Sequence, residues 1–289
     1  MIEIDYAIEV GQNLSIGNRM FQYAFARILA EEKGWALKAR PISNFPATDA
    51  MVAGLAFSEP LKILSGHQVD FEGLRRCGAA RIFLSNACYV QRYEYYRAHK
   101  EKVRKWFEPI AQVEISNHRD LVIHLRLGDY LAMGKAISYD FLNTVIASIS
   151  FERLYVVTDD KANLDLSRLA ARDRLADVIS SPSWLADMQF IASFDKILLT
   201  GSTFAWWPAW LSTAAEVHCA VTQNGFWTLE RTDLDLFVDE PRYLFHVPGR
   251  SQPQGYRELS ELRKSVRRSG GGWLAGLRGA VARLAGQGK

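Results

Sequence analysis

From residue 121 to residue 221 the chain repeats one pattern: a short apolar run, a polar cluster, then a segment of helical periodicity. The apolar runs are Leu121-Val-Ile-His-Leu-Arg126, Leu154-Tyr-Val-Val157, Lys196-Ile-Leu-Leu-Thr200 and Val217-His-Cys-Ala-Val221. Helical spacing marks 139–149, 187–194 and the residues that follow Ser202-Thr203, a pair suited to cap a helix. Strands alternating with helices at this spacing form parallel βαβ units, so the fold class expected is α/β.

The first half is less regular. Residues 2–10 read as a strand running into Gly11-Gln-Asn-Leu-Ser-Ile-Gly17-Asn18. A helix follows, with Met20, Phe21, Ala24, Phe25, Ile28 and Leu29 on one face, Asn18 as the expected N-cap and Gly34 as the stop. Pro41, Pro46 and Pro60 break up 35–80; 81–86 reads as a strand and 93–107 as a charged amphipathic helix. The polar stretch 114–120 is the expected boundary, giving domains over 1–116 and 117–250 and a tail over 251–289.

The chain has 289 residues and a net charge of +3, and the charge is unevenly placed. From Arg257 onward eight Lys or Arg face two Glu, an excess of six, so the rest carries about −3. A nucleic-acid-binding core would concentrate basic residues on the folded domain, and that class is set aside. Three cysteines without a CxxC pair read as reduced thiols rather than as a disulfide or zinc framework. Met1-Ile-Glu-Ile-Asp5 carries acid where a signal peptide needs basic residues, and no run of about 18 apolar residues occurs. A cytoplasmic protein is the expectation. After Ser269-Gly-Gly-Gly272, Trp273, Leu274, Leu277, Val281 and Leu284 share one helical face beside Arg278 and Arg283. Such a basic amphipathic segment suits peripheral contact with an anionic membrane face; a packing helix and a frayed terminus are the plainer readings.

Three polar groups stand where strands end. They are His124-Leu-Arg126-Leu-Gly128-Asp129-Tyr130, Thr158-Asp159-Asp160 and Gly201-Ser202-Thr203. Ligands of open α/β sheets bind beyond the carboxyl ends of strands, and a helix that starts with Ser-Thr offers N–H groups, hydroxyls and a partial positive charge to phosphate. An arginine there can fork onto phosphate oxygens and stabilise charge on a departing diphosphate. Each piece alone has a plainer reading: an ion pair, a cap, a buried core histidine.

In this order, the pieces resemble one family. Gly17-Asn18-Arg19-Met20-Phe21-Gln22-Tyr23-Ala24, the His124–Tyr130 segment, Tyr155-Val-Val-Thr-Asp159-Asp160, and Asp187-Met-Gln-Phe-Ile-Ala-Ser193 with Leu199-Thr-Gly-Ser202-Thr203-Phe204-Ala-Trp206-Trp207-Pro-Ala-Trp210 are similar to four motifs of the α-1,2-fucosyltransferases of bacteria and animals, glycosyltransferase family 11. The resemblance spans about residues 8–225. It implies a GT-B-like fold of two Rossmann-like domains facing a cleft, GDP-fucose as donor with no cofactor and no metal, and an inverting displacement onto a glycan hydroxyl. Arg126 would hold the β-phosphate and assist its departure, His124 and Asp187 would contact guanosine, and Ser202 with Thr203 would grip phosphate. Asn18 would reach the fucose or pyrophosphate. Asp129 is the candidate general base, with orientation of Arg126 or Asn18 as its other role.

The chain departs from that pattern at three places. Leu127 stands where the family has a second arginine, at a cost of roughly 1.5–3 kcal/mol of phosphate contact unless another cation, such as Arg19, replaces it. Arg19 itself stands where glutamine is usual, and Pro208 stands where glycine is usual, so it should kink or interrupt its helix. Asp233-Leu-Asp235 has the letters of a metal-binding DxD but reads as a solvated acidic stretch. Tyr89, Tyr93, Tyr95 and Tyr96 form either an acceptor wall or core, and Trp206, Trp207 and Trp210 read as core. A related GDP-deoxysugar transferase and a non-catalytic nucleotide-sugar-binding scaffold are the other readings. A lipid-linked surface-polysaccharide precursor is the expected acceptor.

Overall fold

The computed structural model describes residues 2–4, 15–35, 37–39, 41–48, 61–77, 81–222 and 227–268. The strand expected over 2–10 is described only at its start, and the amphipathic segment after Gly272 lies outside the described residues. The chain divides into two compact units. One comprises Met1–Gln112 with Asp233–Leu236, the other Val113–Thr232 with Phe237–Lys289.

The first unit holds a four-stranded parallel sheet of β1 (Ile2–Ile4), β2 (Leu37–Lys38), β3 (Leu61–Gly66) and β4 (Arg81–Cys88), in the order β2-β1-β4-β3. Its long helix α1 (Ile16–Lys33) buries Met20, Phe21, Phe25, Ile28 and Leu29, the stripe legible in the sequence. Gly34 ends it in the left-handed region at φ 63°, and the Trp35 N–H reaches back to the Ala30 carbonyl, closing the last turn. The start differs from expectation. Ser15 is the N-cap and Asn18 lies within the first turn, where its Oδ1 accepts from Gln91 Nε2 at 2.7 Å. Fully buried Gln22 donates to the carbonyls of Ser85 and Cys88 and so ties α1 to the end of β4.

A short α2 (Phe71–Arg76) precedes β4. The helix expected over 93–107 is two 3-10 turns followed by α3 (Lys100–Trp106) and α4 (Glu108–Ala111). Hydroxyl bonds are the reason: Tyr95 exchanges bonds with both backbone groups of Val69, and Tyr96 donates to the Val90 carbonyl at 2.6 Å. These anchors hold Tyr93, Tyr95 and Tyr96 in the core, so of the four tyrosines only Tyr89 is half-buried, stacked on His67. The 233–235 stretch is also packed rather than solvated. Leu234 and Leu236 are buried, and the backbone of Asp235 bonds with Gln91 and Tyr93.

The second unit holds six parallel strands: β5 (Asn117–Leu125), β6 (Leu154–Thr158), β7 (Leu175–Ile179), β8 (Phe194–Leu199), β9 (Glu216–Ala220) and β10 (Tyr243–His246). The order β7-β6-β5-β8-β9-β10 is the doubly wound Rossmann order, which reverses direction between β5 and β8. Helices α5 (Gly128–Ala132), α6 (Tyr139–Ala147), α7 (Trp184–Ala192), α8 (Thr203–Leu211) and α9 (Tyr256–Arg268) complete it. β7 and β10 are strands beyond those expected, and β10 shows that 217–221 is not the last. The first half of the tail is helix α9, which belongs to this unit and buries Leu259, Leu262 and Val266.

Side chains alternate along β5. Leu121, Ile123 and Leu125 join a core with Leu142, Val145 and Ile146 of α6, while His124 stacks on Phe204 of α8. Trp206, Trp207 and Trp210 are fully buried and in mutual ring contact, as expected. Pro208 does not interrupt α8. It removes one backbone donor, yet the helix runs to Leu211 because the surrounding side chains are packed on every side.

On β9 and β10, His218 and His246 bond to each other at 2.9 Å, with Glu216 on His218 at 3.1 Å. Burial lowers both to about 4, helped by Lys196 at His218 and by His218 at His246. Burial likewise lowers His124 to about 4. These are bases with depressed folded-state values. Between about pH 6.5 and 4 the unfolded chain takes up protons that the fold refuses, and stability falls as pH drops, by up to roughly 1.4 kcal/mol per pH unit per histidine. Urea unfolding at pH 7 and pH 5 checks this, with a lower midpoint expected at pH 5.

Candidate functional site

The switch point of the second sheet lies between β5 and β8, and the polar clusters legible in the sequence gather at its carboxyl edge. The strands are locked together there, because the Thr200 hydroxyl donates to the His124 carbonyl at 2.7 Å. Gly201 then turns at φ 108°, a conformation that favours glycine, and Ser202 caps α8 by accepting from the Phe204 N–H at 3.1 Å. The N–H groups of the first turn of α8 have no acceptor within the helix. Ser202 and Thr203 flank that start and are both buried.

Arg126 follows β5. Its Nε contacts Asp129 Oδ1 at 2.9 Å and Asp159 Oδ2 at 3.2 Å. Both pairings are made through Nε, so the two terminal amino groups of the guanidinium are not spent on them. Burial works against the Arg126 charge, but the Asp129 hydrogen bond and the Asp159 field outweigh it and raise its pKa. The group is a fixed cation. The Tyr130 ring lies 5.5 Å from the guanidinium carbon, and its hydroxyl donates to the Gly201 carbonyl at 3.2 Å, joining the turn after β5 to the turn after β8. Burial pushes the Tyr130 phenol well up, so it stays a neutral donor.

His124 is 4% exposed, and its Nδ1 has no hydrogen-bond partner. A buried nitrogen left in that state costs on the order of 1–3 kcal/mol, which a ligand group reaching it would relieve. Asp187, in the first turn of α7, is buried as well. Its carboxylate accepts from the Ser181 N–H at 3.1 Å and 3.3 Å, while burial raises its pKa. It lies past β7, at the same edge of the sheet, and its hydrogen bonds stay within the β7–α7 loop. His124, Arg126, Asp129, Ser202 and Thr203 are therefore brought together around β5 and β8. Asn18 and Arg19 stand on α1 of the first unit.

Leu127 has a physical account. The alternation of β5 carries it to the α6 side, where it is 4% exposed in the core with Leu125 and Leu142. Its backbone N–H donates to Asp159 Oδ1 at 2.8 Å. Asp159 is the site residue that motif reading passed over. Its signal was present in the acid pair after β6, but its partner follows only from register, with Leu125 opposite Thr158. Asp160 instead caps its own turn, accepting from Ala162 and Asn163. Gly128 completes the turn, since a Cβ there would stand 3.0 Å from Asp159 Oδ2.

The arrangement offers an oriented arginine, a helix N-terminus, a hydroxyl pair and a buried neutral imidazole, a set suited to a phosphate ester of a nucleoside. Among the described residues no group of three or more His, Cys, Asp or Glu is placed to hold a metal ion.

No family model matches the chain, and no curated protein sequence matches it. Among solved structures it is similar to the NodZ α-1,6-fucosyltransferase soaked with GDP-fucose, at 14% identity and a TM-score of 0.45 over 75% of this chain and 93% of that one. NodZ co-crystallised with GDP gives 14% and 0.46 over the same shares. The fucosyltransferase NodZ from Bradyrhizobium gives 14% and 0.46 over 75% and 94%. At this identity and score the likeness decides nothing about function, which rests on the residues.

The inward course of Leu127 makes a prediction. Leu127→Arg, which writes in the second arginine of the motif that this segment resembles, should lower stability by on the order of 3 kcal/mol, through overpacking and an unpartnered buried charge. Chemical denaturation measures it, and an unchanged midpoint would mean that the side chain turns outward.

Proposed function

We propose that this chain is a glycosyltransferase that moves L-fucose from GDP-β-L-fucose to a glycan hydroxyl with inversion and without a metal ion. One observation carries the reading: Arg126 is held by two carboxylates through Nε at the switch point of a Rossmann-ordered sheet, beside the N-terminus of α8. The leaving group of a GDP-sugar is a diphosphate, and its growing negative charge needs a cation and N–H donors in that position. The ordered resemblance to the α-1,2-fucosyltransferases supports fucose as the sugar and an α-1,2 linkage to a galactoside in a surface-polysaccharide precursor.

In this reading Arg126 takes the β-phosphate, Ser202, Thr203 and the first turn of α8 take phosphate oxygens, and His124 and Asp187 face the guanosine. The bond of Asp129 to Arg126 supports an orienting role for that carboxylate. Its partial exposure also leaves it open to act as the base on the acceptor hydroxyl. Asn18 and Arg19 stay with the donor on the strength of the resemblance alone. No helix among the described residues is long and apolar enough to cross a membrane. Cytoplasmic residence, peripheral membrane contact through the basic tail and a lipid-linked acceptor are parts of the same proposal.

The test is GDP or UDP release from GDP-fucose, GDP-mannose and UDP-galactose in excess EDTA. Release from GDP-fucose alone is expected, falling roughly 10²–10³-fold in Arg126→Ala. Release that appears only with Mn²⁺ would overturn metal independence, and release from another donor would move the reading to a related transferase.

A further inference from the structure

Among the charged groups at the switch point, Asp159 makes contacts that no ligand role requires. One oxygen accepts the Leu127 N–H at 2.8 Å, while the other meets Arg126 Nε at 3.2 Å. A single carboxylate thus holds the side chain of one residue and the backbone of the next. It can do so because Asp159 directly follows Thr158, the register partner of Leu125 at the last rung of the β5–β6 ladder. That ladder is buried on both sides, with Val156, Val157 and Leu125 at 1% exposure or less. Asp159 therefore transmits the position of the sheet to the turn. Asp129 is differently placed: it stands on the turn itself and would move with it.

We propose that Asp159 is the positioning residue of the site. It fixes the rotamer of Arg126 from the Nε edge and so aims the two terminal amino groups at the diphosphate of the donor. The inference rests on the donor assignment above and adds to it the element that fixes the leaving-group arginine. A guanidinium on a long side chain is mobile in solvent, and its value to a transition state depends on staying in place while charge develops. An Nε anchored by carboxylates leaves free the outer edge of the guanidinium, one N–H from each terminal amino group, the pair that binds two phosphate oxygens at once. Packing of Gly128 against Asp159 agrees with this, since a side chain at 128 would press on the carboxylate.

Asp159→Asn separates the two contacts. The amide oxygen keeps an acceptor for the Leu127 N–H, while the charge is lost and an NH₂ is set against Arg126 Nε. The expected result is near-normal unfolding, a KM for GDP-fucose changed only a few-fold, and a kcat lowered on the order of 10²-fold, the scale of a small misplacement of a reacting group. In an Arg126→Ala background the same substitution should lower kcat no further, because the residue acts through Arg126. A full additional loss in the double variant would overturn the proposal and make Asp159 a direct participant.

The resonance of the Arg126 Nε–H, assigned by its disappearance in Arg126→Lys, supplies a readout that needs no donor. That proton is bonded to Asp129, so in the wild type it should be slow to exchange with solvent, and in Asp159→Asn faster, because the guanidinium is no longer held against Asp129 from its second carboxylate. An equally protected signal in Asp159→Asn would sink the idea even if activity fell. Were the wild type to use no GDP-sugar at all, the donor assignment would fail alone, and this signal would still decide whether Asp159 holds the arginine.

Discussion

The second unit is organised by the ladder of β5, which bonds to β6 on one side and β8 on the other and is covered by helices on both faces. A strand in that setting has no freedom of register, and its side chains must alternate between two cores. Odd residues from Leu121 to Leu127 go to the α6 side, and His124 goes to the α8 side. The ladder also sets where the backbone runs out of partners. At that point side chains take over, with the Thr200 hydroxyl on the His124 carbonyl and Asp159 on the Leu127 N–H. The chemistry of the edge is thus built on groups that first serve to finish a sheet.

Much of this was readable in the chain. Apolar runs of four to six residues became strands where both faces are buried, and Gly34, Ser202 and the tryptophans of α8 did what their chemistry implies. The failures have a common cause, a tertiary contact that outranks a local preference. Asn18 is a good cap by type, but Ser15 stands one turn earlier and Gln91 claims the Asn18 side chain. The spacing over 93–107 suits a helix, but tyrosine hydroxyls bonded to distant backbone hold its start in tighter turns. β7 is a different case: it lies on the sheet edge, is interrupted by Asp177 and buries none of its residues fully, so it carries little pattern to recognise.

Legibility of the site divides along the same line. Residues close in sequence, such as Arg126 and Asp129, can be paired by reading along a turn. The pairing of Arg126 with Asp159 spans two strands and depends on which rung faces which, so only the sheet reveals it. Leu127 is the converse case. As a departure from a motif it suggests a lost phosphate contact, yet parity sends this position into the core, where leucine is the residue that packs.

The passage of residues 233–236 through the first unit has a consequence for the chain as a covalent object. That unit is assembled from two stretches separated by 120 residues, because the fold of Val113–Thr232 is inserted between Gln112 and Asp233. A fragment cut at residue 112 would lack the segment that bonds to Gln91 and Tyr93 and buries Leu234 and Leu236, and its complement would carry that segment with nothing to receive it. The two units are therefore not separable cassettes. Exchange of the N-terminal unit between related chains has to carry four distant residues with it, and selection on the first unit reaches positions that a linear map would assign to the second.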